Sequence, residues 1–245
     1  MSRSVLLTAA EEDIEQFRTQ LQGEQPSLMY TPLERYQTLQ EDEKITEAIE
    51  DLQSYENIVH GSKRNAQYFI EKVKEADRME EARQCLNLAV DQYAADYLEE
   101  AGIPAIHPQA QGKAVNLLEF MLRVRRLGET LYPCGDKTNE DLPGLLRELD
   151  IPVHELILFT LEGPTQAELS RYKETVMANQ PDIVIFHSRR SVNRILAAFP
   201  DLNYSEPIII TGDQAVSDKL EKQGINVHEQ ANGSWASILD AITEL

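Results

Sequence analysis

Basic residues are scarce in this chain of 245 residues: 23 lysines and arginines face 42 aspartates and glutamates, a formal net charge of −19. Nucleic acid and anionic membranes need clustered lysine and arginine, so the composition argues against both as partners. Cysteine is nearly absent. Cys85 and Cys134 stand far apart without metal-ligand spacing, which disfavours a disulfide framework or zinc site and fits two reduced packing residues. No apolar run approaches the roughly 20 residues needed to cross a bilayer. The opening MSRSVLLTAAEED turns acidic without a long apolar core or cleavage site, so no export signal is read and a cytoplasmic protein is expected. HExxH, GxSxG and paired-cysteine motifs are missing, and GDKT at 135–138 lacks the glycine-rich spacing of a phosphate loop. Metal hydrolysis and acyl-enzyme chemistry are therefore poorly supported.

What is present is a globular composition, 42% hydrophobic, long enough for one large domain or two of about 120 residues. Short β-rich runs occur at 5–9, 27–33, 57–61, 85–90, 103–108, 130–135, 154–161, 182–188, 207–212 and 225–230. Between most of them lie amphipathic stretches such as NAQYFIEKVKEA, YAADYLEEAG and AVSDKLEKQG, the last two ending in a glycine suited to a helix C-cap. This alternation predicts an α/β protein with parallel sheets covered by helices on both faces.

The chain also repeats itself. VHGSKRNA at 59–66 and FHSRRSVN at 186–193 align Ser62 with Ser188 at an offset of 126 residues. DQYAADYLEEAGI from Asp91 matches DQAVSDKLEKQGI from Asp213, and HPQAQGKAVNLL from His107 matches HEQANGSWASIL from His228, pairing Gln109 with Gln230 and Gly112 with Gly233. Three segments in one order, with offsets drifting only to 121, predict two homologous lobes. Because the repeat starts after two strands, one lobe (37–158) is expected as an insertion in a discontinuous other (1–34 and 163–245), with crossings near YTPLERYQTL and FTLEGPT. Lobes joined twice can close on a ligand by hinge motion.

Taken together, VLLTAAEED, PLERYQTL, NIVHGSKRNAQYF, DIVIFHSRRSVNRI, the paired AVDQYAADYLEEAGI and TGDQAVSDKLEKQGI, and WASILDAI resemble the uroporphyrinogen-III synthase family over essentially the whole chain. The resemblance implies two flavodoxin-like lobes joined by a two-stranded linker, with a cleft between them. It implies a cofactor-free lyase reaction: closure of the linear tetrapyrrole hydroxymethylbilane with inversion of its last pyrrole and loss of water. A monomer meeting this small molecule is expected, with transient contact with the preceding deaminase. Departures from the family are visible. Its usual glycine and threonine are replaced by Asp91 and Ala94 in one lobe and Asp213 and Val216 in the other; Phe159 stands where a tyrosine is common, and Ala9 and Ala10 where a basic residue and proline are usual. A non-catalytic two-lobed binding or regulatory protein derived from the family is the alternative. A two-lobed sugar or amino-acid binding protein is disfavoured by the missing export signal.

The candidate site follows from physics as well as from likeness. In parallel α/β sheets ligands lie beyond the carboxyl ends of strands, where helix N–H groups attract anions. Ser62, Lys63, Arg64 and Asn65, and Ser188, Arg189, Arg190 and Ser191, fall at such turns. They would gather the carboxylates of hydroxymethylbilane in an otherwise repelling protein; an ordinary solvated helix start is the plainer reading of either turn alone. Gln92 and Gln214 would add amide donors or cap their helices. His60 and His187 are candidates to protonate the departing hydroxyl, or else histidines buried at strand ends. The RVRR run at 123–126 is read as bases opposing a helix dipole rather than as a second anion patch.

Overall fold

A computed structural model describes residues 3–14, 27–39, 42–108, 114–137 and 142–245. The paired Gln109 and Gly112, and Thr138 of the GDKT stretch, lie outside the described residues.

The chain divides into two compact units, one formed by Met1–Arg35 with Glu162–Leu245 and the other by Tyr36–Leu161. In chain order the described elements begin with β1 (Ser4–Leu7), β2 (Ser27–Tyr30), β3 (Arg35–Thr38), α1 (Glu43–Glu50), β4 (Asn57–His60), α2 (Lys63–Glu75) and α3 (Met79–Gln84). Then come β5 (Leu86–Ala89), α4 (Gln92–Glu100), β6 (Ala105–Ile106), α5 (Ala114–Val124), β7 (Thr130–Gly135), α6 (Leu142–Glu148) and β8 (Val153–Glu162). The last are α7 (Gln166–Asn179), β9 (Ile183–Phe186), α8 (Arg189–Ala198), β10 (Ile208–Thr211), α9 (Gln214–Glu221), β11 (Glu229–Gln230) and α10 (Trp235–Thr243).

The first unit holds a parallel sheet in the order β11-β10-β9-β1-β2. Its inner strands read VLL, IVIF and IIIT because both faces are covered. Leu6, Val184, Phe186 and Ile209 enter one apolar cluster, and Val5, Leu7, Ile183, Ile185 and Ile210 enter the other. Period-two alternation thus feeds two cores from one strand. Each fully buried side chain of this kind contributes about 1.5–3 kcal/mol.

The second unit's sheet runs β3-β8-β7-β4-β5-β6. Ile58 and Val59, adjacent on β4, face opposite clusters in the same manner. β3 is a difference from the sequence reading, which treats RYQT only as a crossing: Arg35, Gln37 and Thr38 are exposed, so this edge strand lacks an apolar signature. Two expected strands also shorten, 103–108 to Ala105–Ile106 and 225–230 to Glu229–Gln230. Gly102 (φ 82°) and Gly224 (φ 76°) follow α4 and α9 with positive φ, as helix-ending glycines do.

The sheet orders place the two serine turns. In the first unit the order in which successive strands are added changes side between β1 and β9, and in the second between β4 and β7, although both pairs are parallel. At such switch points adjacent connections leave to opposite sides and open a crevice at the carboxyl edge. The Ser188 turn follows β9 and the Ser62 turn follows β4, so each lies at its own sheet's switch point.

Candidate functional site

Both serines begin their helices. Ser62 Oγ accepts from the Asn65 amide at 3.3 Å, and Ser188 Oγ accepts from the Ser191 amide at 3.1 Å within a reciprocal capping box. Asn65 and Ser191 are buried at the third helical position, so they shape the turns from within. The bases stand nearer the surface: Arg189 is exposed, while Lys63, Arg64 and Arg190 are half-buried. The cap is neutral at both turns, which leaves the positive end of the helix dipole available to a ligand anion.

The next helix in each unit behaves differently. Asp91 and Asp213 cap α4 and α9, accepting from the Ala94 amide at 2.7 Å and the Val216 amide at 2.9 Å. A carboxylate of the chain itself therefore occupies the anion position there. Burial pushes the Asp91 carboxyl above its ordinary pKa. Gln92 and Gln214 lie flat along their helices, each donating to the aspartate one turn on, Asp96 at 2.6 Å and Asp218 at 2.7 Å. Replacing Asp91 or Asp213 by alanine should lower stability by about 1 kcal/mol through loss of a cap, measured by urea unfolding.

The histidines part company. His60 is fully buried, its Nε2 3.2 Å from Asn87 Oδ1, and burial depresses its pKa from 6.5 to about 4. It is a neutral core residue, which removes it as a proton donor near neutrality. His187 Nε2 lies 3.3 Å from Glu34 Oε1, and Trp235 stacks on the imidazole at 5.5 Å.

Glu34, which sequence reasoning missed, is the centre of this cluster. Only 4% of its side chain is exposed, Arg194 Nε lies 3.8 Å from its Oε2, and Arg194 also donates to the Leu33 carbonyl. Burial alone would push its carboxyl up. The hydrogen bond from His187 and the charges of His187, Arg194 and Arg190 outweigh that and hold it below the ordinary 4.5. Thr8 Oγ1, Thr31 Oγ1 and His187 Nδ1 are buried without hydrogen-bond partners among the described residues, so unmet polar capacity collects where β1, β2 and β9 end. The only sequence signal for Glu34 is an acid directly after buried Leu33. Gly212 is equally hidden: a Cβ there would fall 2.3 Å from the His187 carbonyl oxygen, so only glycine lets the β10 turn press on the β9 turn.

In the second unit the Arg64 guanidinium lies 3.5 Å from the Tyr36 ring centroid, and Lys63 Nζ lies 5.7 Å from that of Tyr97. Phe159 is buried and stacked on Tyr68 at 4.5 Å. Away from these turns, Arg123 closes α5 and lies 3.9 Å from Glu119, and Arg126 pairs with Glu56 at 2.9 Å. Both cysteines are free, the buried Cys134 thiol pushed up to about 12 chiefly by burial.

Fold and turns define a class: a parallel α/β protein of two units, each with a cationic, serine-capped helix start at its switch point. The family model for uroporphyrinogen-III synthase HemD matches residues 15–234, and the chain belongs to the uroporphyrinogen-III synthase family. Among solved structures, a mutant uroporphyrinogen III synthase from the extremely thermophilic bacterium Thermus thermophilus superposes with a TM-score of 0.70 at 15% identity, covering 100% of this chain and 99% of that one. The uroporphyrinogen-III synthetase of Helicobacter pylori gives 0.66 at 14% identity, covering 100% and 99%. At such identities the likeness establishes the shared fold. No curated protein matches the chain. Among the described residues, no helix is long and apolar enough to cross a membrane.

Proposed function

We propose that the protein cyclises hydroxymethylbilane to uroporphyrinogen III, inverting the last pyrrole ring and releasing water, in tetrapyrrole and heme biosynthesis. The family match across residues 15–234 carries this reading. The turns support it. Acetate and propionate groups on every ring make the substrate strongly anionic, and Lys63, Arg64, Arg189 and Arg190 at the two helix starts supply local positive charge in a protein of net charge −19. Ser62, Ser188, Asn65 and Ser191 shape those starts, while Gln92 and Gln214 begin the next helix of each unit and would have to leave Asp96 and Asp218 to donate to the substrate. The α4 and α9 starts are already capped by carboxylates of the chain, Asp91 and Asp213, whereas the serine-capped starts carry the bases, which favours the latter as carboxylate anchors.

In this reading, loss of the terminal hydroxyl as water gives an electron-deficient azafulvene. The substituted position of the last ring attacks it to form a spiro intermediate, which rearranges and closes. The unassisted substrate closes without inversion, so enforcing the geometry is the main catalytic task. A cytoplasmic monomer in transient contact with the deaminase would suit a substrate that cyclises unaided.

Adding the protein to freshly generated hydroxymethylbilane should speed its loss over the uncatalysed reaction. Arg64→Glu combined with Arg190→Glu should raise the apparent substrate constant on the order of tenfold, the equivalent of about 1.4 kcal/mol shared between two charge reversals. An unchanged constant in a folded variant would remove these bases from the site.

A further inference from the structure

One base of the β4 turn is packed on an aromatic ring. The central carbon of the Arg64 guanidinium lies over the Tyr36 ring, and that ring is itself braced: Tyr36 meets Phe159 edge-on at 5.7 Å and 69°, and Phe159 stacks on Tyr68 at 4.5 Å and 26°. Arg64 and Tyr68 are four residues apart on α2 and share one helix face. Tyr36 and Phe159 come from β3 and β8, which are neighbours in the sheet. Three elements thus place four side chains in one ladder, with the guanidinium at its end. An arginine that binds a carboxylate must otherwise give up its rotamer freedom, and a guanidinium held flat on a ring still presents its N–H edge for a bidentate contact.

We propose that Tyr36 is a positioning residue for the substrate: its ring holds the Arg64 guanidinium flat, presetting it as a bidentate receptor for a carboxylate arm of one pyrrole ring at the β4 turn. This rests on the reading of that turn as part of the substrate site. Position 36 is invisible to sequence reasoning because nothing local links it to position 64. The role belongs to the aromatic face and not to the phenol hydroxyl, and it acts on binding rather than on the bond-making steps.

The test is a double-mutant cycle with Tyr36→Phe, Tyr36→Ala, Arg64→Ala and the Tyr36→Ala, Arg64→Ala pair, each checked for an unchanged unfolding midpoint. Tyr36→Ala should raise KM for hydroxymethylbilane about fivefold and leave kcat within about twofold, the size of one cation–π contact. Phenylalanine at this position should restore most of the affinity, and Tyr36→Ala should add nothing once Arg64 is alanine. An equal effect in both backgrounds, or a phenylalanine variant as damaged as alanine, would overturn the proposal. Wild-type protein that forms no uroporphyrinogen III would sink the synthase reading instead. The same cycle would then be read by fluorescence titration with uroporphyrin I, a tetrapyrrole carrying the same carboxylate arms. Coupling between positions 36 and 64 would sustain the inference there, and absent binding or absent coupling would end it.

Discussion

Glu34→Ala should destabilise the unit of Met1–Arg35 and Glu162–Leu245 by about 3–5 kcal/mol, the size of breaking a buried ion pair from one side. The substitution leaves His187 and the partly buried Arg194 facing a hole where their carboxylate stood. The loss should extend beyond stability, because His187 immediately precedes the Ser188 cap and Arg190 and Arg194 lie on the helix that cap begins. The sign of the pH effect follows from the direction of the shift. Glu34's folded pKa is lowered, so its contribution is fully present above the unfolded value near 4.5 and is lost as pH falls through the lower folded value. The gap between wild type and Glu34→Ala should therefore be wide at neutral pH and narrow well below 4.5. The chain's one tryptophan, Trp235, stacks on His187 in this unit, so tryptophan fluorescence during urea unfolding reports on it directly. A gap that stayed constant with pH would show that Glu34 is not held as a carboxylate by these partners.

The unit of Tyr36–Leu161 should show a different acid response, set by His60. The imidazole is buried and neutral, and its pKa is near 4 against 6.5 when exposed to water. The unfolded chain takes up a proton first as pH falls, so this stabilisation is complete above 6.5 and declines between 6.5 and about 4. A shift of this size corresponds to about 3 kcal/mol. Replacing His60 by glutamine removes the titrating group. Hydrogen exchange of the β4 and β5 amides should then lose most of its dependence on pH across that window, beyond the intrinsic exchange chemistry. A variant that tracks the wild-type dependence would assign the acid sensitivity to another group.

How much of this was legible in the sequence depends on what each residue contacts. NIVH, IVIF and IIIT announce parallel strands because apolar layers cover both faces, and one letter string then carries two cores. The recurrent serine turns, Asp91 with Asp213, and Gly102 with Gly224 are local devices whose partners lie within one turn, so the repeat displays them twice. β3 left no trace because RYQT is a polar edge strand held by its neighbour β8. The Glu34 cluster was equally silent. Its carboxylate meets His187 across 153 positions of sequence, and nothing at 31–36 says which charge it will meet. The orientation of Gln92 and Gln214 turned on a competition that spacing alone does not decide, between a ligand and the aspartate at the fourth position beyond. His60 and His187 look alike in the repeat. One is capped by Asn87 in the core and the other held by an ionised glutamate, and only tertiary contacts separate them.

The most direct measurement is the isomer composition of the product. Hydroxymethylbilane is generated by its deaminase, the protein is added, the porphyrinogens are oxidised and the porphyrin isomers are separated by chromatography. Predominantly isomer III is the predicted result; it would show that inversion proceeds with Ala94, Val216 and Phe159 in place of the hydroxyls found elsewhere in the family. Isomer I alone, from protein whose tryptophan fluorescence shows it folded, would contradict the account.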